Sequence, residues 1–418
     1  MTLRHWLIVI GSGLLMSLQV LVFLGGGMML PPMAASLGVS LGSVMIFTSI
    51  TALTGAAGMS IAGPWILQRL GVRTLIVVAG VLTGGSLFAV SYVTGLTGLY
   101  VLAVGAGILA PLSFQMAGAV LVNEWFITRR GTMLGIVMSI ASLGGVVAGT
   151  VLPSVVQSGG WQLGFRLVGL LTAGVAVVSG IFLIRARPAA IGLRAYGETD
   201  DSIVHADLAH ATGSARAMFA SRQFVALMAG LTLFSALMGM QQHFPPLMGE
   251  HGLSIGTAGT LLAVLSIANV VATLSFGALN DKLGPLVATG LSCALLVVSL
   301  VVFAATMGTV PQLLAILLYA IPAITPPILT PIVFRHTFGD RHLVALLGVG
   351  MAAMPVGVAF GSPLWGLVKD ATGSYTPGLY GSVGITAISM VLIAYALVTG
   401  RRRWLSEPDS TPEPLLAA

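Results

Sequence analysis

Charge is what this chain lacks. Only 7% of its 418 residues are Asp, Glu, Lys or Arg, 56% are hydrophobic, and the mean hydropathy is +1.02. Ordinary soluble domains carry about 25% charged residues and present them to water, so the chain reads as an integral membrane protein. Cysteine is nearly missing as well. Cys293, alone and inside an apolar run, excludes an intrachain disulfide and any Cys cluster for zinc or iron–sulfur. Acidic side chains are missing from membrane depth: all twelve fall in loops, at the ends of apolar runs or in the tail, and no Lys or Arg sits mid-run. Proton relays and cation sites are usually built from buried ionisable groups. A polyvalent cation is therefore a poor substrate, and a drug/proton antiporter of the carboxylate-bearing kind is disfavoured. An intramembrane enzyme would need a nucleophile with its base, or a metal cluster, at membrane depth, and no mid-run His, Asp or Glu serves, so no enzyme is expected. No G-x-x-x-x-G-K-[ST] loop exists, which excludes ATP-driven pumping by this chain. "GAGILA" (Gly105 to Ala110) fits a dinucleotide fingerprint only formally, since no soluble strand precedes it. No cofactor and no metal are expected.

What is present is apolar length. A hydrocarbon core of about 30 Å requires roughly 20 apolar residues per helix. Twelve such runs lie near residues 6–29, 42–63, 74–93, 97–121, 132–153, 163–184, 221–242, 257–279, 285–306, 311–333, 344–366 and 378–399. They are continuous rather than alternating, so an all-α fold is expected and a porin-like barrel is not. With a cytoplasmic N-terminus, sixteen of the eighteen Lys and Arg residues fall on the inside, leaving Arg166 and Lys369 outside. That distribution closes only for an even number of spans, which places both termini in the cytoplasm. It also accounts for the net charge of +6 without a nucleic-acid partner. A polar segment containing His205 and His210 divides the runs six and six and reads as a solvated linker. The expected organisation is a six-helix bundle over 1–185, a linker over 186–220, a second bundle over 221–400 and a tail over 401–418.

The halves repeat one another. "PPMAASLGVSLGS" (Pro31 to Ser43) returns as "PPLMGEHGLSIGT" (Pro245 to Thr257), and "QRLGVR" (Gln68 to Arg73) corresponds to "DKLGPL" (Asp281 to Leu286). Gly135 and Gly144 pair with Gly348 and Gly357 at an offset of 213. Each copy of the doubled phrase is expected to be an outer turn, its prolines ending one span and its Gly-x-Ser-x-Gly opening the next. The first copy is almost uncharged, whereas the second carries Glu250 and His251 beside His243. Two halves repeated the same way up, with substrate near the midplane between them, is one construction used by secondary transporters.

Three motifs carry a family resemblance. "GALNDKLG" (Gly277 to Gly284) matches G-x-L-x-D-[RK]-x-G, "NEWFITRRGTMLGI" (Asn123 to Ile136) resembles W-F-x-x-R-R-G, and "GLVKDATGSY" (Gly366 to Tyr375) resembles D-x-T-G-S-Y. The chain thereby resembles the major facilitator superfamily over its whole length, and within it the bacterial monocarboxylate-transporter-like branch. The resemblance implies gating roles for Gln68, Arg69, Gly71, Arg73, Gly277, Asp281, Lys282 and Gly284, with Arg129, Arg130 and Asp370. It also exposes departures. Gln68 stands where the first-half signature has aspartate, and Pro64 where it has glycine, so charge contacts at that gate should be weaker than around Asp281. Asn269 and Thr273 stand where the branch usually has an Asp and an Arg that pairs with the substrate carboxylate. An arginine clamp is therefore not visible.

The remaining candidates are polar groups in apolar helices, which are costly facing lipid. Gln19, Gln115, Gln242, His243, Asn269, Thr273 and Tyr319 form the candidate substrate-binding set, and Gln241 and Thr325 share the same logic. His243 suits either a proton switch or a plain interfacial histidine. Arg166 reads either as a draw for anions or as a contact for lipid phosphates. "YAIPAITPPILTP" in the tenth run, with four prolines, is either a gating or binding break or a kinked scaffold helix. Gly145 and Gly149, and Gly357 and Gly361, make small-xxx-small faces for close packing or sliding. The expected function is a secondary active transporter that moves a small organic solute by alternating access, with a monocarboxylate or similar organic anion first. Export of neutral amphipathic compounds, and a non-transporting sensor with a transporter fold, stay open. A monomer in the plasma membrane, the bacterial inner membrane, is expected, with protons as the coupling ion to consider and lipids as its surroundings.

Overall fold

The computed structural model describes residues 2–59, 63–127, 129–184, 188, 196, 216–339 and 343–404. The described elements are helices: α1 (Leu3–Leu37), α2 (Leu41–Ala57), α3 (Gly63–Val90), α4 (Leu96–Trp125), α5 (Arg130–Ala141) and α6 (Leu143–Val178), then α7 (Arg216–Phe219), α8 (Arg222–Met238), α9 (Phe244–Glu250), α10 (Ile255–Ala305), α11 (Thr309–Phe338), α12 (Leu343–Gly350), α13 (Ala353–Thr372) and α14 (Thr376–Trp404). Nine helical stretches among them are long and apolar enough to cross a membrane, as expected where lipid leaves every backbone group to be satisfied within its own helix. This is a multi-pass membrane protein. His205, His210 and the tail lie outside the described residues. The segment ahead of α7 is tied to the first half at Tyr196, whose backbone pairs with Trp125 and Ile127.

Two stretches, Thr132–Leu183 with 52 residues and Ile255–Ala305 with 51, are more than twice the length that one crossing needs. Within them α6 and α10 each join two helices across a kink at a left-handed glycine, Gly160 (φ 70°) and Gly284 (φ 78°), and Gly71 (φ 71°) kinks α3 in the same way. Only glycine takes this conformation without steric cost. The kinks recur in register. Gly71 and Gly284 are 213 residues apart, as are Gly160 and Gly373 (φ 76°), and Gly38 (φ 65°) and Gly252 (φ 81°) are 214 apart. The duplicated serines act alike too: Ser40 caps α2 by accepting from the Ser43 N–H at 3.2 Å, and Ser254 caps α10 from the Thr257 N–H at 3.1 Å.

Two expectations about proline are corrected. Pro31 and Pro32 do not end the first span; they lie inside α1, which continues to Leu37 and stops at left-handed Gly38, whose N–H bonds the carbonyls of Ala34 and Ala35. Their counterparts Pro245 and Pro246 instead sit in the first turn of α9, directly after a 3-10 segment at Gly239–His243. Nor does the proline-rich run break its helix, since α11 stays helical through Pro322, Pro326, Pro327 and Pro331. Neighbouring helices and hydroxyl groups support such helices in membranes. Here the Ser292 and Thr325 hydroxyls meet at 2.7 Å, and Thr325 and Thr330 donate to the Ile321 and Pro326 carbonyls. The interruption that sequence placed in the tenth run lies between α8 and α9.

The glycine faces divide by role. Gly144 packs on Ser17 of α1, and its counterpart Gly357, with Gly361, packs on Thr232 and Ala236 of α8, each within one half. Gly145 and Gly149 instead meet Ser266, Gly259 and Ala263 of α10, between the halves.

Candidate functional site

The 3-10 segment builds the site. A 3-10 stretch inside a longer helix often marks a hinge, and the cause is local: without N–H groups, Pro245 and Pro246 cannot bond back four residues to Gln241 and Gln242. The Gln242 carbonyl points at α1, where a Cβ on Gly27 would lie 2.4 Å from it. Only glycine lets the two backbones meet there.

The Gln242 side chain is buried and ties three helices together. Its Oε1 accepts from the Thr48 hydroxyl of α2 at 3.0 Å and the Ser362 hydroxyl of α13 at 2.8 Å, and its Nε2 donates to the Phe23 carbonyl of α1 at 3.3 Å. Next to it His243, fully buried, places Nε2 2.8 Å from the Ser362 carbonyl and Nδ1 3.1 Å from the Tyr375 hydroxyl. A carbonyl only accepts, so Nε2 carries the proton, and a neutral ring then takes the Tyr375 proton on Nδ1. Burial, with the carboxylates of Glu250 and Asp370 adding, pushes the Tyr375 phenol pKa up, which keeps that donor protonated.

The same end of the molecule holds further contacts. Asp370, at the end of α13, accepts from the first-turn N–H groups of α2, Gly42 at 2.8 Å and Leu41 at 3.3 Å. These N–H groups have no partner within their own helix, and the helix dipole favours an anion beside them. Ser49 donates to the Ala359 carbonyl. Glu250 pairs with Lys369 and also accepts from the Ser374 hydroxyl and the Tyr375 N–H, all within the second half. Both partners of that ion pair are 22–29% exposed, where such pairs contribute about 0–1 kcal/mol. Glu250→Gln should accordingly lower the melting temperature by no more than a degree or two, less at high salt, as read in a thermal melt.

Asn269 and Thr273 lie further along α10. Asn269 follows Ser266, the residue against Gly145, by nearly one turn, and Thr273 follows by nearly two, so both continue the face turned to the first half. Both are half-buried. The Thr273 hydroxyl returns to the Asn269 carbonyl at 2.7 Å, whereas Asn269 Oδ1 is buried with no partner among the described residues. A buried amide oxygen without a donor carries an unmet hydrogen-bonding capacity that a ligand donor would satisfy.

Of the remaining candidates, Gln19 is half-buried in α1. Tyr319 is fully buried against Phe244, its hydroxyl 3.5 Å from the Leu237 carbonyl and 3.4 Å from the Met238 sulfur. The side chains of Gln68, Gln115 and Arg130 lie outside the described residues. Arg73 donates to the carbonyls of Gly180 and Ile181, satisfying a helix end within its own half. Arg69, Asp281 and Lys282 are exposed, Arg129 is exposed with φ 59°, and Gly277 has open space where a Cβ would stand. Arg166 stacks on Tyr92 at 4.9 Å and donates to Ser91, a structural contact that sequence did not foresee. Thr48, Ser362 and Phe23 were not foreseen either. Helical hydroxyls ordinarily bond their own backbone, so nothing local marks the two that do not.

The model of the Major Facilitator Superfamily matches residues 14–332, most of the chain. The chain belongs to the Major Facilitator Superfamily. Its relatives within the superfamily are distant. It is 24% identical over 302 residues to the MFS-type transporter pynF of Aspergillus niger, covering 69% of this chain and 62% of that one. It is 24% identical over 322 residues to monocarboxylate transporter 13 of Rattus norvegicus, covering 75% and 71%. The chain spans from 32% to 71% of the length of the five curated relatives that it matches. Among solved structures, the superfamily fold of the nucleoside transporter NupG (D323A mutant) superimposes with a TM-score of 0.75 at 12% identity, over 94% of this chain and 99% of that one. In superfamily terms, Gly71 and Gly284 are the last glycines of the two copies of the signature, and both are the kinks that let one helix turn into the next.

Proposed function

We propose that this chain is a secondary active transporter that carries a small organic solute across the plasma membrane, in a bacterium the inner membrane, by alternating access. The reading takes twelve spans in two six-helix halves, over 1–185 and 221–400, with a linker between them and both termini cytoplasmic. Positive charge supports that orientation: Arg73, Arg129, Lys282 and Arg335 would lie inside, and the end held by Asp370 and Gln242 would face outside. The observation that carries the proposal is the join between the halves. They are closed at one end by the network around Gln242, and just beyond the contact of Gly145 with Ser266 lies the unpartnered amide oxygen of Asn269.

Monocarboxylates and similar organic acids are the first substrate class, supported by the likeness to monocarboxylate transporter 13. Neutral amphipathic compounds are the second, favoured by the charge-free spans. Without an arginine clamp, an anion would be desolvated beside Asn269 with no counter-charge, which costs several kcal/mol. An acid would therefore cross most readily in its protonated form, with the proton as companion.

Uptake into proteoliposomes, with candidates drawn from a thermal-shift screen of small acids and hydrophobic compounds, tests the reading. Flux that follows the substrate gradient supports it. Stabilisation by cationic amphiphiles alone would sink the acid assignment, and binding with no flux under any ion gradient would favour a sensor. Asn269→Ala should weaken the affinity of the transported compound about tenfold, from a lost hydrogen bond of about 1–1.5 kcal/mol, while leaving the melting temperature unchanged. Unchanged affinity would remove Asn269 from the site.

A further inference from the structure

The repeat makes the gates comparable residue by residue. Asp370 reaches across the closed end to the N-terminus of α2, and the contact is close: Gly366 packs on Gly42, and a Cβ on Gly42 would lie 3.1 Å from Asp370 Oδ2. The position equivalent to Asp370 in the first half, 213 residues earlier, is Gln157. The alignment rests on structure as well as sequence, because Gly160 and Gly373, each three residues further on, are both left-handed. Gln157 lies one turn beyond Pro153, which packs against Gly259 near the start of α10. It is exposed, and among the described residues no hydrogen bond joins it to α10, whose N-terminus is capped by its own Ser254. The other gate has the same imbalance in sequence: Asp281 in the second half is matched, again 213 residues earlier, by Gln68.

We infer that the second half alone supplies a carboxylate latch at the closed end, Asp370, and that the first half holds a neutral amide, Gln157, at the equivalent position. At the closed end, then, one seam between the halves, α13 against α2, is held by a charge on a helix terminus. On the opposite seam, α6 against α10, Gly145, Gly149 and Pro153 pack on Ser266, Ala263 and Gly259, and among the described residues no carboxylate engages a helix terminus. Asp370 thereby adds a charged latch on one seam to the Gln242 network and the Ser49–Ala359 bond that also join the halves at this end. The unused position at Gln157 can be converted into a second latch. The statement that this end faces outside rests on the orientation proposed above, but the asymmetry itself does not.

Spin-label distances across this end test the inference on the full chain, whether or not it transports. Thr94 and Met307 are exposed beside α4 and α11, in segments tied to this end by the Tyr100 bond to Ser43 and the Gln312 bond to His251. Labels on Thr94→Cys and Met307→Cys in a Cys293→Ser background should give a short separation. Asp370→Asn should raise the ratio of long to short separations about tenfold, the effect of one charged terminus contact. Gln157→Glu added to Asp370→Asn should return the ratio toward its original value. An unchanged ratio in folded Asp370→Asn, or no recovery with Gln157→Glu, overturns the inference. Should Asp370→Asn not accumulate, Gln157→Glu alone decides: alkylation of a cysteine at Ala359, buried in the closed seam, should slow about tenfold, and an unchanged rate overturns the inference. Solute flux is not read, so a failed transport assay leaves the result intact.

Discussion

Gly149→Leu is expected to stop solute flux while leaving both halves folded. A Cβ at Gly149 would lie 2.2 Å from the Gly259 carbonyl oxygen and 2.7 Å from the Ala263 nitrogen, both backbone atoms of α10. Neither can swing aside as a side chain would, so the clash is relieved only if α6 and α10 separate. Overpacking costs about 1–3 kcal/mol. Since α6 and α10 belong to different halves, that cost falls on the closed state of this end and not on the folding of either bundle. The population closed here should drop about 10- to 100-fold, and uptake should fall with it because one leg of the cycle is blocked. Gly144→Leu is the control. Its Cβ would meet the Ser17 carbonyl at 1.8 Å within the first half, so the same cost appears as a lower melting temperature. Paired thermal melts and uptake measurements separate the two. A Gly149→Leu protein that melts early like Gly144→Leu, or that transports normally, contradicts the assignment of this seam to gate motion.

Gln242→Leu should open the same end by a different route. Leucine keeps the volume but removes the acceptor shared by the Thr48 and Ser362 hydroxyls and the donor to the Phe23 carbonyl. A buried hydroxyl left without a partner costs about 1–3 kcal/mol. Each hydroxyl recovers part of that by rotating to a carbonyl of its own helix. A net loss of about 2–3 kcal/mol is expected, which is roughly 30- to 150-fold in the balance between closed and open. The effect should appear as fast labelling of a cysteine placed at Ala359 and as reduced uptake. Unchanged labelling would mean that the network is packing rather than gate.

How much of this was legible beforehand varied with how local each signal is. His243 and Gln242 stood out because a polar group in an apolar run is costly wherever it points. Asp370 stood out through the motif it ends. Their partners did not: Thr48, Ser362 and Phe23 are separated from Gln242 by 120 residues or more, and no periodicity in the chain encodes such pairings. Arg166 was legible as a charge at a span end, but not as the neighbour of Tyr92. The proline-rich run misled because proline's effect is only half local. The missing N–H is certain from sequence, whereas whether the helix breaks depends on what the neighbouring helix offers the backbone. Hydroxyl contacts accompany the intact helix in α11. At Gln242 the neighbour is Gly27, which admits a bare carbonyl, and there the helix tightens into 3-10.

Sequence by itself determined that the chain spans a membrane and that its halves repeat. Apolar length and composition act over a few neighbouring residues. Tertiary structure alone decided which end of the repeat is closed, which glycines pack within a half and which between halves, and that a carboxylate of one half engages a helix terminus of the other. Those are long-range contacts between surfaces of similar composition, set by how two nearly equivalent halves meet.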